Sequence, residues 1–133
     1  MIKFKNKKQM QKLAIGIDIG GTNVSYGVVN ESGVVKLKES FPIKEFDDVN
    51  NFVDYLAERI KISLKGLSAD SELKGVGIGA PNGNYYKGTI EFAPNLAWKG
   101  VIPLADLLSK KIGLPVKLTN DANAAAIGEM IYG

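Results

Sequence analysis

The chain has 133 residues, of which 45% are hydrophobic and 23% are charged, and its formal net charge is +3. This composition is typical of a soluble globular protein, and this length allows one hydrophobic core rather than two. The sequence contains no cysteine and no histidine, which excludes disulfides, thiolate nucleophiles, imidazole bases and the usual zinc ligands. Any acid–base chemistry must therefore use carboxylates, lysine or tyrosine.

Residues 1–12, MIKFKNKKQMQK, form a basic leader with five lysines. We interpret it as a solvated segment rather than a nucleic-acid-binding arm, because only Phe4 offers a ring for base stacking. No long apolar segment is present, so the sequence predicts neither a signal peptide nor a membrane anchor. We expect a cytoplasmic protein with no nucleic-acid or membrane partner.

Three strands are predicted next along the chain. Residues 13–19 are an apolar run, residues 24–29 follow a turn at Gly20-Gly21, and residues 34–41 follow a turn at 30–33. Strands that are joined by such short turns form an antiparallel meander.

Helical periodicity replaces the strand pattern after the meander. Apolar residues recur at helical spacing from Val49 to Leu64, with Asp47 or Asp48 available as the N-cap and Gly66 as the end. The predicted helix has an apolar stripe that should pack on the sheet.

Strands and helices then alternate to the end of the chain. The pattern predicts a glycine-rich buried strand at 74–80, a short helix that Pro103 opens and Gly113 stops, a strand at 116–119 and a helix at 122–132. This order predicts an α/β fold with a mixed sheet covered by helices. No repeat or linker divides the sequence, so we predict a single domain over residues 1–133.

The stretch GIDIGGTN, residues 16–23, places polar groups at the end of the first strand. Adjacent Gly20 and Gly21 let a ligand approach the backbone, whose N–H groups can bind an anion. Thr22 and Asn23 add neutral donors, and Asp18 could hold a metal ion through water. The alternative, which is more common for this spacing, is a plain hairpin turn.

The stretch GAPNGNYYKGTIEFAPNLAW, residues 79–98, follows the glycine-rich strand and contains a predicted hairpin turn at Lys87-Gly88. The amide of Asn95, behind a proline, can recognise sugar hydroxyls, although such amides more often cap turns. Trp98 is better explained as core packing or a pocket wall than as a platform for a base.

In the segment TNDAN, residues 119–123, a strand passes directly into a helix. Asp121 is either the N-cap or first-turn acid of that helix, or a general base at the strand edge where open α/β sheets keep their ligands. Together, a glycine turn, hydroxyl-binding asparagines and a lone aspartate are the parts that phosphoryl transfer to a sugar requires.

The sequence resembles the ROK family of repressors, open reading frames and kinases, within the sugar kinase/actin superfamily, and its bacterial glucokinases in particular. The resemblance is carried by four stretches between residues 14 and 129, which read GIDIGGTNVSYGVV, GIGAPNG, FAPNLAWKG and VKLTNDANAAAIGE. It implies an actin-like, ribonuclease H-like fold and phosphorylation of a hexose, with glucose and ATP as ligands and Mg²⁺ as cofactor.

The resemblance also implies roles for individual residues. Asp121 would be the catalytic base for the sugar's 6-hydroxyl, Asn120 and Asn95 would bind hydroxyls of the hexose, and the backbone of Gly83 would lie close to the ring. The first phosphate motif corresponds to the residues that would contact ATP phosphates and Mg²⁺, namely Asp18, Gly20, Gly21, Thr22 and Asn23. Glu129 matches a family position that we assign to scaffolding.

This sequence departs from the family pattern at its C-terminal end and at one internal position. The family continues into a second lobe, with its zinc site and adenosine pocket, and commonly forms homo-oligomers. We therefore expect residues 1–133 to be the N-terminal lobe of a longer kinase and to lack turnover alone. Asn82 follows Pro81 where many relatives have glycine, which leaves the assignment of Gly83 open by one position.

The same family offers two alternatives to a glucokinase. One is a sugar-responsive transcriptional repressor, which we disfavour because too few residues precede the first strand for a helix-turn-helix module. The other is a kinase for another hexose, such as N-acetylmannosamine or fructose.

Overall fold

The computed structural model describes residues 10–33, 35–67, 69–119 and 126, and describes only the backbone of residues 35–37. Within these residues the chain forms eight strands, two α-helices and one 3-10 helix. The strands are β1 (Gln11–Ile19), β2 (Asn23–Asn30), β3 (Val35–Pro42), β4 (Ser71–Gly79), β5 (Gly83–Asn84), β6 (Thr89–Glu91), β7 (Val101–Ile102) and β8 (Val116–Thr119). The helices are α1 (Val49–Lys65) and α2 (Leu104–Ile112), and the 3-10 helix is Ile43–Glu45.

Five strands form a mixed sheet in the order β3-β2-β1-β4-β8. The strands β1, β2 and β3 pair antiparallel, whereas β4 pairs parallel with both β1 and β8. The predicted antiparallel meander and mixed α/β sheet are both confirmed.

The two helices pack on one face of this sheet. Helix α1 begins where the Asp48 carboxylate accepts a hydrogen bond of 2.8 Å from the Asn50 N–H. Its stripe of Phe52, Leu56 and Ile60 is fully buried. The stripe packs in one core with apolar residues of β1, β2, β4, α2 and β8, so the helical periodicity of the sequence corresponds to the buried face.

The other face of the sheet carries small residues on its three central strands. Gly27, Gly16 and Gly77 lie side by side on β2, β1 and β4. Ala126, which is helical and buried, packs with Ala14 and Val29 on these strands. The glycines of strand β4 therefore alternate with the core residues and leave the middle of this face without bulky side chains.

The predicted elements at 13–19, 24–29, 74–80 and 116–119 correspond to observed strands, and both predicted helix ends at Gly66 and Gly113 are confirmed. The helix predicted at 122–132 lies outside the described residues except for Ala126. Sequence analysis predicted the hairpin turn at Lys87-Gly88, which joins β5 to β6, but it missed the strands of the small antiparallel sheet β5-β6-β7 and the 3-10 helix. Neither described helix is long and apolar enough to span a bilayer.

Candidate active site at the carboxyl edge of the sheet

Three parallel strands end together at one edge of the five-stranded sheet. Asp18 of β1 is opposite Gly79 of β4, and Gly79 is opposite Thr119 of β8. The Ala80 N–H then donates a hydrogen bond of 3.0 Å to the Thr119 carbonyl and extends this pairing by one residue. The three polar stretches found in the sequence therefore begin side by side, at the carboxyl ends of parallel strands, where open α/β sheets bind ligands.

The stretch after β1 is a tight turn into β2. Its backbone therefore forms the hairpin turn that was the alternative interpretation of these residues. The Gly20 N–H donates to the Asn23 carbonyl at 2.9 Å, while a side chain at Gly21 would meet no atom within 4 Å. Asp18, Thr22 and Asn23 are all exposed. The turn thus presents an open backbone, two neutral polar side chains and one carboxylate to solvent at the strand edge.

Gly83 packs directly against the end of β8. A Cβ atom at Gly83 would lie 2.5 Å from Leu118 Cδ2 and 3.4 Å from the Thr119 carbonyl oxygen. Any side chain at Gly83 would therefore have to push aside the buried Leu118 side chain, just before the segment that leads into Asn120 and Asp121. Asn120 and Asp121 themselves lie outside the described residues.

Asn95 is exposed in a turn in which the Leu96 N–H donates to the Ala93 carbonyl at 3.3 Å. Buried Leu96 and Trp98 hold this turn to the domain, and Trp98 packs on Phe52 with ring centroids 4.6 Å apart. The interpretation of Trp98 as core packing is confirmed. The buried Trp98 anchors the loop, and Asn95 lies on the exposed side of that loop.

The 3-10 helix region holds the Asn95 loop and the GIDIGGTN turn to the same segment of chain. The Trp98 indole N–H donates to the Phe46 carbonyl at 2.9 Å, and the Ile43 N–H donates to the Thr22 carbonyl at 3.0 Å. Both loops are thus fixed to residues 43–46, a connection that the sequence alone did not reveal.

A hydrogen-bonded cluster orders the β5-β6 hairpin, in which Gly88 has a positive φ of 67°. The Glu91 carboxylate accepts hydrogen bonds from the Thr89 hydroxyl at 2.7 Å and from the Asn84 amide at 2.9 Å. These two donors, the Thr89 hydroxyl first, lower the pKa of Glu91 below its usual value. The cluster was not predicted, because its donors and acceptor are ordinary polar residues at unremarkable spacing.

Within the part of the chain that the structure describes, no three acidic side chains lie close enough to form a metal site of their own. Asp18 is an exposed carboxylate at this edge, and Mg²⁺ is usually held in proteins by one or two carboxylates together with substrate phosphates.

Comparisons with known proteins agree with this architecture. The ROK family profile matches residues 14–133. The chain is 37% identical over 122 residues to a glucokinase of Streptomyces coelicolor, covering 91% of this chain and 36% of that protein. It is 36% identical to a xylose repressor of Caldicellulosiruptor bescii, covering 90% of this chain and 30% of that protein.

A solved structure of a ROK family protein is also similar to this chain. The ROK family glucokinase from Streptomyces griseus, in complex with glucose and AMPPNP, superposes with a TM-score of 0.70 at 36% identity, covering 88% of this chain and 36% of that one. The likeness confirms the predicted actin-like fold class, and the chain spans about a third of the length of the relatives it matches. The family profile covers nine-tenths of the sequence, from β1 to its last residue, and the chain therefore belongs to the ROK family.

Proposed function

We propose that this chain is the N-terminal, sugar- and phosphate-binding lobe of an ATP-dependent hexose kinase, with glucose as its substrate. The observation that carries the proposal is the alignment of Asp18, Gly79 and Thr119 at one sheet edge. This alignment brings the GIDIGGTN turn, the Gly83 loop and the end of β8, which the NDAN segment follows in the sequence, to one place. A kinase needs phosphate and sugar held side by side in this way.

Asp121 is the proposed catalytic base, two residues beyond Thr119. Its carboxylate would accept the proton of the sugar's 6-hydroxyl as that oxygen bonds to the γ-phosphorus. The bond from this phosphorus to the bridging oxygen of ADP breaks, which yields hexose 6-phosphate and ADP. Asn120, Asn95 and the Gly83 backbone would hold the other hydroxyls and the ring.

The phosphates of ATP would lie against Gly20, Gly21, Thr22 and Asn23. The open space at Gly21 supports this assignment, because a phosphate oxygen can approach the backbone there. Mg²⁺ would enter with the nucleotide and neutralise phosphate charge, with Asp18 as its protein carboxylate. The adenosine pocket would belong to a second lobe, and we expect residues 1–133 to lack turnover alone.

A coupled ATP-consumption assay tests the proposal. It compares the 133-residue chain with the product of the complete reading frame, in the presence of Mg²⁺ and each of glucose, fructose and N-acetylmannosamine. Turnover with glucose by the long form alone supports the proposal as stated. Preference for another hexose would correct the proposed substrate. No turnover with any hexose would refute the proposed kinase activity.

Asp121→Asn in the long form tests the base. We expect kcat to fall at least about 100-fold, because general-base catalysis contributes that much or more, while glucose binding by calorimetry stays close to wild type. Asp54→Asn is the matched control, since Asp54 is an exposed carboxylate paired with Lys111 on the helix layer. Full turnover by Asp121→Asn would remove Asp121 from the role of base.

A sugar-responsive repressor is the second candidate, favoured by the 36% identity to the xylose repressor. Repressors of this kind bind operator DNA, and such binding weakens steeply with salt. Salt-sensitive DNA binding by the long form, without hexose phosphorylation, would favour the repressor over the kinase.

A further inference from the structure

Asn82 and Phe92 both have a left-handed backbone conformation; Asn82 lies immediately before β5 and Phe92 immediately after β6. Their φ angles are 54° and 51°, whereas such angles are uncommon outside glycine and rare for a bulky residue such as phenylalanine. Asparagine tolerates this conformation best among residues with a side chain. Paired strain of this kind persists only where neighbouring contacts enforce it, and it concentrates at functional sites.

The Asn82 side chain supplies those contacts. Its Nδ2 group donates hydrogen bonds to the carbonyl oxygens of Glu91 at 3.0 Å and of Phe92 at 3.1 Å. The Asn82 carbonyl in turn accepts a hydrogen bond of 3.0 Å from the Glu91 N–H. One asparagine therefore ties the loop after β4 to the residues where the chain leaves β6.

The two segments that Asn82 joins are the two that carry proposed sugar contacts. Gly83 is the next residue, packed against the end of β8. Asn95 is three residues beyond Phe92, whose N–H is itself fixed to the Gly100 carbonyl at 2.8 Å. Phe92 and Gly100 thus close the loop that carries Asn95, and a shift of the Phe92 backbone would act on the base of that loop.

We infer that Asn82 is a positioning residue of the sugar site, whose side-chain amide sets the spacing between the Gly83 backbone and the Asn95 amide. The inference rests on the proposed function. Asn82 need not touch the hexose, because it acts through the carbonyls of Glu91 and Phe92. Glycine at this position would adopt the left-handed backbone conformation as well. It would lack the clamp, by which we mean the two hydrogen bonds from the Asn82 amide to the Glu91 and Phe92 carbonyl oxygens.

Two substitutions separate the backbone role of Asn82 from the clamp. Asn82→Gly keeps the left-handed conformation and deletes the amide. Asn82→Asp keeps the shape of the side chain but places a carboxylate, which cannot donate, against two carbonyl oxygens. If Asn82 served only the backbone conformation, Asn82→Gly would behave as wild type or better.

The experiment measures steady-state kinetics of the long form with its preferred hexose, together with thermal melting. We expect the hexose KM to rise about tenfold in Asn82→Gly and further in Asn82→Asp. The kcat and the ATP KM should stay within about twofold of wild type, because a correctly spaced sugar site binds the hexose equally in the ground state and the transition state. Asn30→Gly is the matched control, since the Asn30 side chain accepts from the Ser32 N–H in a turn at the opposite edge of the sheet. Its hexose KM should not change.

The outcomes distinguish the inference from the proposed function. A wild-type protein without hexose-dependent turnover refutes both. An active wild type with an Asn82→Gly variant of unchanged hexose KM overturns the positioning role and leaves the kinase intact. If a variant has a lower melting temperature, a lower kcat and higher KM values for both hexose and ATP, Asn82 has a purely structural role, which also overturns the inference.

Discussion

Tyr26 shows how a single buried polar group joins three elements. Its side chain is 3% exposed on β2, and its hydroxyl donates to the Glu39 carboxylate on β3. Arg59 of α1 donates to the Tyr26 hydroxyl at 3.2 Å and to Glu39 at 2.8 Å. Burial, and then the bond to Glu39, raise the pKa of Tyr26, while the donors Tyr26 and Arg59 lower the pKa of Glu39.

Removal of the Tyr26 hydroxyl tests this cluster. Tyr26→Phe keeps the ring in the core but takes one donor from the Glu39 carboxylate, which is partly exposed to water. We expect the free energy of unfolding to fall by about 1 kcal/mol in urea denaturation. Tyr86→Phe should change it by less than about 0.5 kcal/mol, because Tyr86 is 95% exposed. Equal stability of the two variants would show that the Tyr26 hydroxyl contributes nothing.

Residue-scale sequence reasoning identified the polar stretches but not the contacts within them. The dipeptide Asn82-Gly83 carried a readable signal, since Asn-Gly favours left-handed turns, and the structure gives Asn82 that conformation. The two carbonyls that its amide binds are nine and ten residues away. No local pattern encodes a pairing of that kind, because it depends on how the hairpin closes.

The ends of the two helices differ in one testable respect. Both stop at glycine, but Gly66 after α1 has a right-handed φ of −86°, whereas Gly113 after α2 has a φ of +71°. A Cβ at Gly113 would meet no atom within 4 Å, so conformation alone opposes a side chain there.

Alanine at these two caps should therefore have unequal effects. Gly113→Ala must place a side chain in the left-handed region, and we expect it to lower the free energy of unfolding by about 1 to 2 kcal/mol. Gly66→Ala is the matched control, since its Cβ would lie 3.6 Å from the Ser63 carbonyl oxygen and its backbone suits alanine. Thermal or urea unfolding of both variants measures the difference. Similar losses at both positions would contradict the explanation from φ.

Element-scale prediction succeeded where periodicity was long and failed where elements were short. Helix α1 has 17 residues and strand β1 has nine, and each carries several repeats of its hydrophobic period. Strands β5 and β7 have two residues each, too few for any period. They are strands only because β6 lies between them, so the small sheet is a product of tertiary pairing.

At the scale of the whole molecule, topology places the candidate site. The antiparallel meander was predicted from the sequence, but the parallel register of β1, β4 and β8 could not be, because parallel partners are separated by a helix in the chain. That register brings the Asp18 turn beside the Gly83 loop and the end of β8. The GIDIGGTN turn, the Gly83 loop and the end of β8 could therefore be grouped at one edge only once the sheet order was known.

Two carboxylates far apart in the sequence contribute to the acid response of the folded domain. Glu39 accepts from Tyr26 and Arg59, and Glu91 accepts from Thr89 and Asn84, so both have a pKa below the ordinary glutamate value of 4.5. The unfolded chain then binds more protons than the folded one at low pH. Stability from these groups is fully present above pH 4.5 and is lost as the pH falls through the lowered values.

Glu91→Gln isolates one of these contributions. Glutamine keeps an acceptor oxygen for Thr89 and Asn84 but does not titrate, so the variant should be less stable than wild type near neutrality. As the pH falls from about 6 to about 3, the wild type loses the advantage of its charged carboxylate, and the stability difference between the two proteins should shrink. Urea denaturation at a series of pH values measures that difference. A constant difference would mean that the Thr89 and Asn84 hydrogen bonds serve the neutral and the charged group equally, and that the acid sensitivity of the domain arises elsewhere.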